Sequence, residues 1–388
     1  MDRFRLELKE FFQKGDRILL LLCVVTSALG CFVISSTTQT MGSARYIIIQ
    51  IATTVMGVGL YAAVSSIDTN FFSEHRRLLA IFNTVFLFML VPFGKEIQGN
   101  RSWLSLAFLP FDIQVAEVCK ITYILIMASV MNTYQNRINS VKSVSHMVAH
   151  FLLAGGLSYV LSGDLGVTLI YVFIFVGMTF AGGLSMWLFA AAAGIVALGF
   201  PLAWQFFFSD YQKLRIEAIF NPELDAAGTG VRHQTVRALR SLTGGGMTGQ
   251  GLYEGTRTQT RNALYAQHTD FIFCAVGEEL GFLGCLLIVV LLLAIVIRII
   301  WVGTHSPDYM RRLVCFGVAA AMIFQITSNI GMCLGITPVI GLTLPFISYG
   351  GSSLLSLYVM MGLVSGIHAR PSPQGHDIYI RPPLPKVY

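Results

Sequence analysis

Charge is scarce in this chain. Only 12% of its 388 residues are Asp, Glu, Lys or Arg, where a soluble globular domain carries roughly 25%. Together with 55% hydrophobic residues and a mean hydropathy of +0.69, that shortfall excludes an ordinary water-soluble enzyme and points to an all-α polytopic membrane protein. The net charge of +6 is too small to suggest a nucleic-acid partner and suits loops that face anionic headgroups. Cysteine is sparse too, and the seven present show no metal or redox spacing. Cys23, Cys31, Cys285, Cys315 and Cys333 lie in apolar runs, with Cys119 and Cys274 near span ends, so all read as small hydrophobes. A cleavable signal is also missing. The first apolar run, 18–34, follows a charged 17-residue segment without a small-residue cleavage site, and reads as a retained first helix.

Apolar sequence is abundant. A membrane helix needs about 20 mostly apolar residues, and the runs 18–36, 46–65, 78–94, 114–132, 165–182, 184–206, 280–303, 313–335 and 352–368 supply them. A tenth, 146–162, is interrupted at Ser162-Gly163-Asp164. The 37 glycines fit, since glycine is commoner in membrane helices than in soluble ones. Ten spans put both termini on one side. The N-terminus carries Arg3, Arg5, Lys9, Lys14 and Arg17; alternate loops carry Arg76, Arg77, Arg137, Lys142, Arg311 and Arg312; the tail carries Arg370, Arg381 and Lys386. The opposite short loops offer only Arg45, Lys95 and Arg101. By the positive-inside rule both termini are cytoplasmic. The expected organisation is a cytoplasmic segment 1–17, a transmembrane domain 18–368 and a disordered tail 369–388. Between the seventh and eighth spans a large extracellular loop, 207–269, is too long to lack a task. Its glycine run from Thr243 to Gly251 either lets backbone approach a ligand closely or acts as a hinge.

Charged groups at the spans are the candidate functional residues, because a carboxylate near lipid is costly and rare unless it serves a site. Residues 268–281, His-Thr-Asp-Phe-Ile-Phe-Cys-Ala-Val-Gly-Glu-Glu-Leu-Gly, bring Asp270, Glu278 and Glu279 to the mouth of a span. Thr269 or Asp270 is alternatively a cap for the following helix. In a continuous helix, at about 1.5 Å per residue, the two glutamates lie about 12 Å below Asp270, which assigns them to packing or helix positioning. Glu117 and Lys120 share a helical face, either as the wall of a polar cavity or as an ion pair reaching the headgroups. Arg101, in Gly99-Asn-Arg-Ser-Trp103, has the forked donors that grip phosphate. Asp164, between Gly163 and Gly166, marks a broken helix lining a cavity or a tight turn. The stretch 329–353 is the most irregular in the chain: Asn329, Pro338, Pro345, Gly350 and Gly351 read as structural elements of a re-entrant loop, since proline breaks regular helix.

Taken in order, these segments resemble the SEDS family (shape, elongation, division and sporulation) over nearly the whole chain. The resemblance rests on His268-Thr-Asp-Phe-Ile-Phe with Gly277-Glu-Glu-Leu-Gly281, on Leu344-Pro-Phe-Ile-Ser-Tyr-Gly-Gly-Ser-Ser353, on Asn329-Ile-Gly-Met332 and on Asp164-Leu-Gly166. The chain departs from the family pattern at Val115-Ala116, at Ser162-Gly163 and at Tyr265-Ala266. The resemblance implies a peptidoglycan glycosyltransferase that polymerises lipid II on the outer face of the bacterial cytoplasmic membrane. It implies a class B penicillin-binding protein as transpeptidase partner within an elongation or division complex, and the short N-terminal segment favours an elongation-type, RodA-like role. Asp270 is then the catalytic carboxylate, in the role of base. Arg101, Glu117, Lys120, Asp164, His268, Thr269, Ser348 and Tyr349 are the substrate-binding candidates. A divalent cation (Mg2+ or Mn2+) is compatible with this chemistry, its ligands unassigned, and no organic cofactor is implied. Two rivals remain at this point: a lipid II flippase, whose broken helices and polar cavity would look similar, and an inactive scaffold for a transpeptidase.

Overall fold

A computed structural model describes residues 15–42, 44–97, 100–106, 110–206, 208, 210–225, 230, 232–261, 263–264 and 266–370. Most of the N-terminal segment, the tail from 371, Gly99 and Tyr265 thus lie outside the described residues. The chain is mostly helical. Among the described residues nine helices are long and apolar enough to cross a membrane, and a tenth apolar helix is slightly shorter. They are α1 (Arg17–Thr37), α2 (Arg45–Ser65), α3 (Arg76–Phe93), α4 (Val115–Thr133), α5 (Val141–Ser162), the shorter α6 (Leu165–Ala181) and α7 (Met186–Phe206). The long connection contains helices α8 (Asp210–Phe220) and α9 (His233–Gly244). The final spans are α10 (Ile272–His305), α11 (Tyr309–Cys333) and α12 (Gly351–Ala369).

Burial separates these helices. Over their most apolar windows α4 buries 83% of its residues, and α11 and α12 72% each, whereas α7 buries none. The core is therefore α4, α11 and α12, with α2 packed along α12, and α6 and α10 along α11. Tyr123, Ile124, Met127, Ala128 and Met131 fill the middle of α4 without solvent access. The seven cysteines are free thiols, six of them buried, as their apolar settings predicted.

Between α3 and α4 the chain forms a small antiparallel sheet, β1 (Gly94–Ile97), β2 (Asn100–Leu104) and β3 (Ile113–Gln114). Lys95 pairs with Trp103, and Trp103 with Gln114. Side chains alternate across a strand. Along β2, Ser102 and Leu104 turn inward and Arg101 is exposed.

Helix α10 breaks at Gly281, whose φ of 68° and ψ of −166° are essentially restricted to glycine. A continuous helix would bond Phe282 N–H to the Glu278 carbonyl and Leu283 N–H to the Glu279 carbonyl. The glycine run replaces both bonds. Phe282 N–H donates to Gly246 O (2.9 Å) and Leu283 N–H to Met247 O (3.2 Å), while Gln250 N–H and Gly251 N–H donate to the carbonyls of Glu278 (2.9 Å) and Glu279 (3.0 Å). The approach requires glycine: a Cβ on Gly249 would sit 2.1 Å from the Glu279 carbonyl oxygen. The run Thr243–Gly251 thus serves the kink in α10, where the sequence had left ligand approach and a hinge open. An unpaired backbone group at membrane depth costs several kcal/mol, so kink and glycine run depend on each other.

Candidate active site

Three consecutive carbonyls hold the His-Thr-Asp turn. Tyr349 N–H donates to His268 O (2.9 Å), Ser348 Oγ to Thr269 O (2.6 Å), and Asn329 Nδ2 to Asp270 O (2.8 Å). Asn329 Nδ2 also reaches Leu342 O at 2.6 Å, and Ser348 Oγ accepts from Leu344 N–H at 2.8 Å. The re-entrant stretch 334–350 and the end of α11 therefore fix the backbone of the turn. Neither Thr269 nor Asp270 caps α10; the cap position falls to Phe271 without a side-chain bond. With its backbone fixed, Asp270 directs its carboxylate into a cavity of about 1010 Å³ that it shares with Thr269, Asp164, Glu117, Gln325 and Tyr349.

Burial pushes the Asp270 carboxyl up to about 6, with the Asp164 charge adding to the rise and the Thr269 hydroxyl opposing it. Burial also raises Asp164. Asp164 caps α6, accepting Val167 N–H at 3.1 Å, and still lines the cavity. The turn and cavity readings of that residue both hold.

The other candidates divide. Glu117 lines the cavity, and its Oε2 accepts from Ser356 Oγ at 2.6 Å and meets Lys120 Nζ at 2.5 Å. Lys120 lies behind it, almost fully buried, with Gln325 Oε1 at 3.5 Å. It is not among the cavity-lining residues, so its charge holds Glu117 rather than meeting a ligand directly. Ser348 spends its hydroxyl on the clamp, which differs from the expected substrate contact. His268 packs edge-on against Tyr46 (5.2 Å), itself 5.1 Å from Tyr349; both tyrosines line the cavity. Arg101 is a correction: it is exposed and is not among the cavity-lining residues, and its Nε donates to Gly94 O at 3.1 Å.

The lining cations are Arg45 and Lys95, which the sequence offered only as loop charges. Lys95 Nζ lies 3.0 Å from Asp112 Oδ2, and Ser105 Oγ donates to the other carboxylate oxygen. Burial works to raise Asp112, but the Ser105 and Lys95 contacts outweigh it and hold the carboxyl low. Arg45 Nη2 donates to Pro110 O at 3.1 Å. Among the described residues no three His, Cys, Asp or Glu side chains converge as metal ligands.

Glu278 and Glu279 are remote from this chemistry. Glu278 Oε1 accepts Arg257 N–H at 2.5 Å, and Glu279 Oε1 accepts from Ser36 Oγ (2.6 Å), Thr258 Oγ1 (2.7 Å) and Gln259 Nε2 (3.1 Å). They tie the first part of α10 to α1 and to the loop after the glycine run.

The model of the FtsW/RodA/SpoVE cell cycle proteins matches residues 16–372. This chain belongs to that family. It is 30% identical over 351 residues to peptidoglycan glycosyltransferase MrdB of Escherichia coli (strain K12), covering 90% of this chain and 92% of the relative. It is 32% identical over 366 residues to a probable peptidoglycan glycosyltransferase FtsW of Thiomicrospira cyclica, covering 90% of each. A solved chain from a peptidoglycan synthase complex that coordinates polymerization and crosslinking superposes with a TM-score of 0.74 at 25% identity, covering 91% of this chain and 97% of the other. The family membership and the ten apolar helices make this chain a multi-pass membrane protein.

Proposed function

We propose that the chain is a peptidoglycan glycosyltransferase that polymerises lipid II, with Asp270 as general base. The observation that carries the assignment is a carboxylate clamped by three backbone carbonyl contacts, aimed into a large polar cavity, with its pKa raised to about 6. An acid tuned toward neutral pH suits proton abstraction, which typically contributes about 10²–10⁴-fold. The 4-hydroxyl of the acceptor GlcNAc attacks the anomeric carbon of the donor MurNAc. Its proton passes to Asp270, the bond to undecaprenyl pyrophosphate breaks, and the α linkage becomes β-1,4. Arg45 and Lys95 offer positive charge to the departing pyrophosphate.

An apolar groove of about 530 Å³ adjoins the cavity at Phe111 and runs between α2, α3, α4 and α12. It suits the polyprenyl chain. Below Lys120 the core of α4 is packed with apolar side chains, which supports surface polymerisation over transport across the bilayer. Both termini lie in the cytoplasm and the cavity opens on the outer face of the cytoplasmic membrane, from the distribution of Lys and Arg. The partner is a class B penicillin-binding protein.

The test is lipid II polymerisation by purified protein, with and without that transpeptidase, and with EDTA. Asp270→Asn should leave folding intact and abolish glycan strands; substantial product from it would remove Asp270 as the base. Lipid II scrambling without strand formation by the wild type would favour a flippase.

A further inference from the structure

The far end of α4 carries a second polar cavity. Sixteen residues of helix separate Glu117 from Thr133, about 24 Å at about 1.5 Å per residue, so this cavity lies at the opposite membrane face from Asp270. It encloses about 640 Å³ and is lined by Arg76 and Arg77 at the start of α3 and by Ser129, Asn132 and Thr133 at the end of α4. His75 and Glu74 complete the ionisable lining, so two guanidinium groups face a single carboxylate. Arg76 lines the cavity and its Nη1 donates to Thr133 Oγ1 at 2.6 Å. Arg77 is exposed and has no ion-pair partner among the described residues.

We propose that this cavity binds the phosphate headgroup of an anionic phospholipid in the leaflet opposite the active site. Paired guanidinium forks match phosphate oxygens, and basic pockets between membrane helices hold such headgroups. Phosphate alone could come from a soluble anion; the lipid is specified by what continues below. Leu78, Ile81, Phe82 and Val85 are all exposed and fall on one face of α3 at i, i+3, i+4 and i+7. An apolar stripe thus runs from the arginines along the helix, where acyl chains would lie. The proposal is independent of the glycosyltransferase assignment.

The full-length protein, in neutral detergent, is offered phosphatidylglycerol or phosphatidylcholine, and retained lipid is counted by native mass spectrometry. The wild type should prefer phosphatidylglycerol by about tenfold or more, and Arg77→Gln should reduce that preference about fivefold, as expected for one basic residue at an anionic surface. Arg76→Gln with Arg77→Gln should abolish it. If the double variant fails to fold, the exposed Arg77 alone carries the test. Equal retention of both lipids by the wild type, or an unchanged preference in Arg77→Gln, would overturn the proposal. Displacement of the lipid by excess inorganic phosphate would also overturn it, assigning the cavity to a soluble anion; retention under that challenge supports the lipid.

Discussion

Asp270 and Glu279 are two carboxylates nine residues apart, and their surroundings differ. Glu279 receives three hydrogen bonds on one oxygen, from α1 and from the loop at 258–259. Asp270 has its backbone carbonyl held by Asn329, and its carboxylate faces the cavity. The difference teaches how a membrane protein separates structural acids from reactive ones. The donors on Glu279 Oε1 fix that carboxylate in place, although its Oε2 is buried without a partner. Asp270 is positioned through its clamped main chain while its carboxyl is left to the cavity, and burial is what raises its pKa.

The largest expected effect is on Asp270. Asp270→Asn should lower lipid II polymerisation by at least about 10²-fold. Ionising a carboxyl whose folded pKa is raised costs stability as pH climbs from the ordinary carboxylate value through about 6. The asparagine variant should therefore melt at or above the wild-type temperature at pH 7.5, and the advantage should vanish at pH 4. A lower melting temperature at pH 7.5 would make Asp270 structural and erase the contrast. Next in size, Arg45→Gln or Lys95→Gln should cut turnover about tenfold, on the scale of one lost charge-assisted contact of about 1.5 kcal/mol. Arg101→Gln serves as the control outside the cavity lining, and a loss equal to that of Arg45→Gln would place Arg101 in the site.

The pH profile sharpens the same comparison. Wild-type activity should fall about tenfold per unit below pH 6 as Asp270 takes up its proton; a profile flat to pH 5 would remove it as the titrating base. Glu279→Gln is expected to act on stability, by about 1.5–3 kcal/mol for hydrogen bonds to a charged group, with the turnover of the folded fraction nearly unchanged. Gly281→Ala should cost about 1–3 kcal/mol through its backbone region. If Glu279→Gln instead kept its melting temperature and lost activity, the two acids would no longer differ in kind.

Much of this was legible in the sequence. The ten apolar runs correspond to ten apolar helices, because hydropathy over 20 residues is a local property. The His268-Thr-Asp turn and the irregular stretch ending at Gly351 were visible for the same reason. The missed features depend on non-local geometry. Arg101 lies between Asn100 and Trp103, which line the cavity, yet at the irregular register of the β1–β2 pair it stays exposed outside that lining. Arg45 and Lys95 come from separate segments and meet only around the cavity. Lys120 was correctly paired with Glu117, but which of the two faces ligand depends on helix rotation. The partner of the glycine run lay about 30 residues downstream in an apparently uninterrupted apolar run, with only Gly281 to mark the break.

That break also bears on how the chain is assembled. As a straight rod, the 34 residues of α10 would measure about 51 Å, far beyond a hydrocarbon core of about 30 Å. The groups that replace its two lost bonds, from Gly246 to Gly251, leave the ribosome before Phe282 does. The splice is thus ready when the helix arrives, and its closure over 28 to 36 residues costs little chain entropy. The segment enters the bilayer as one long hydrophobic signal and is divided afterwards, leaving a short, separately anchored helix to carry the reactive acid at its head.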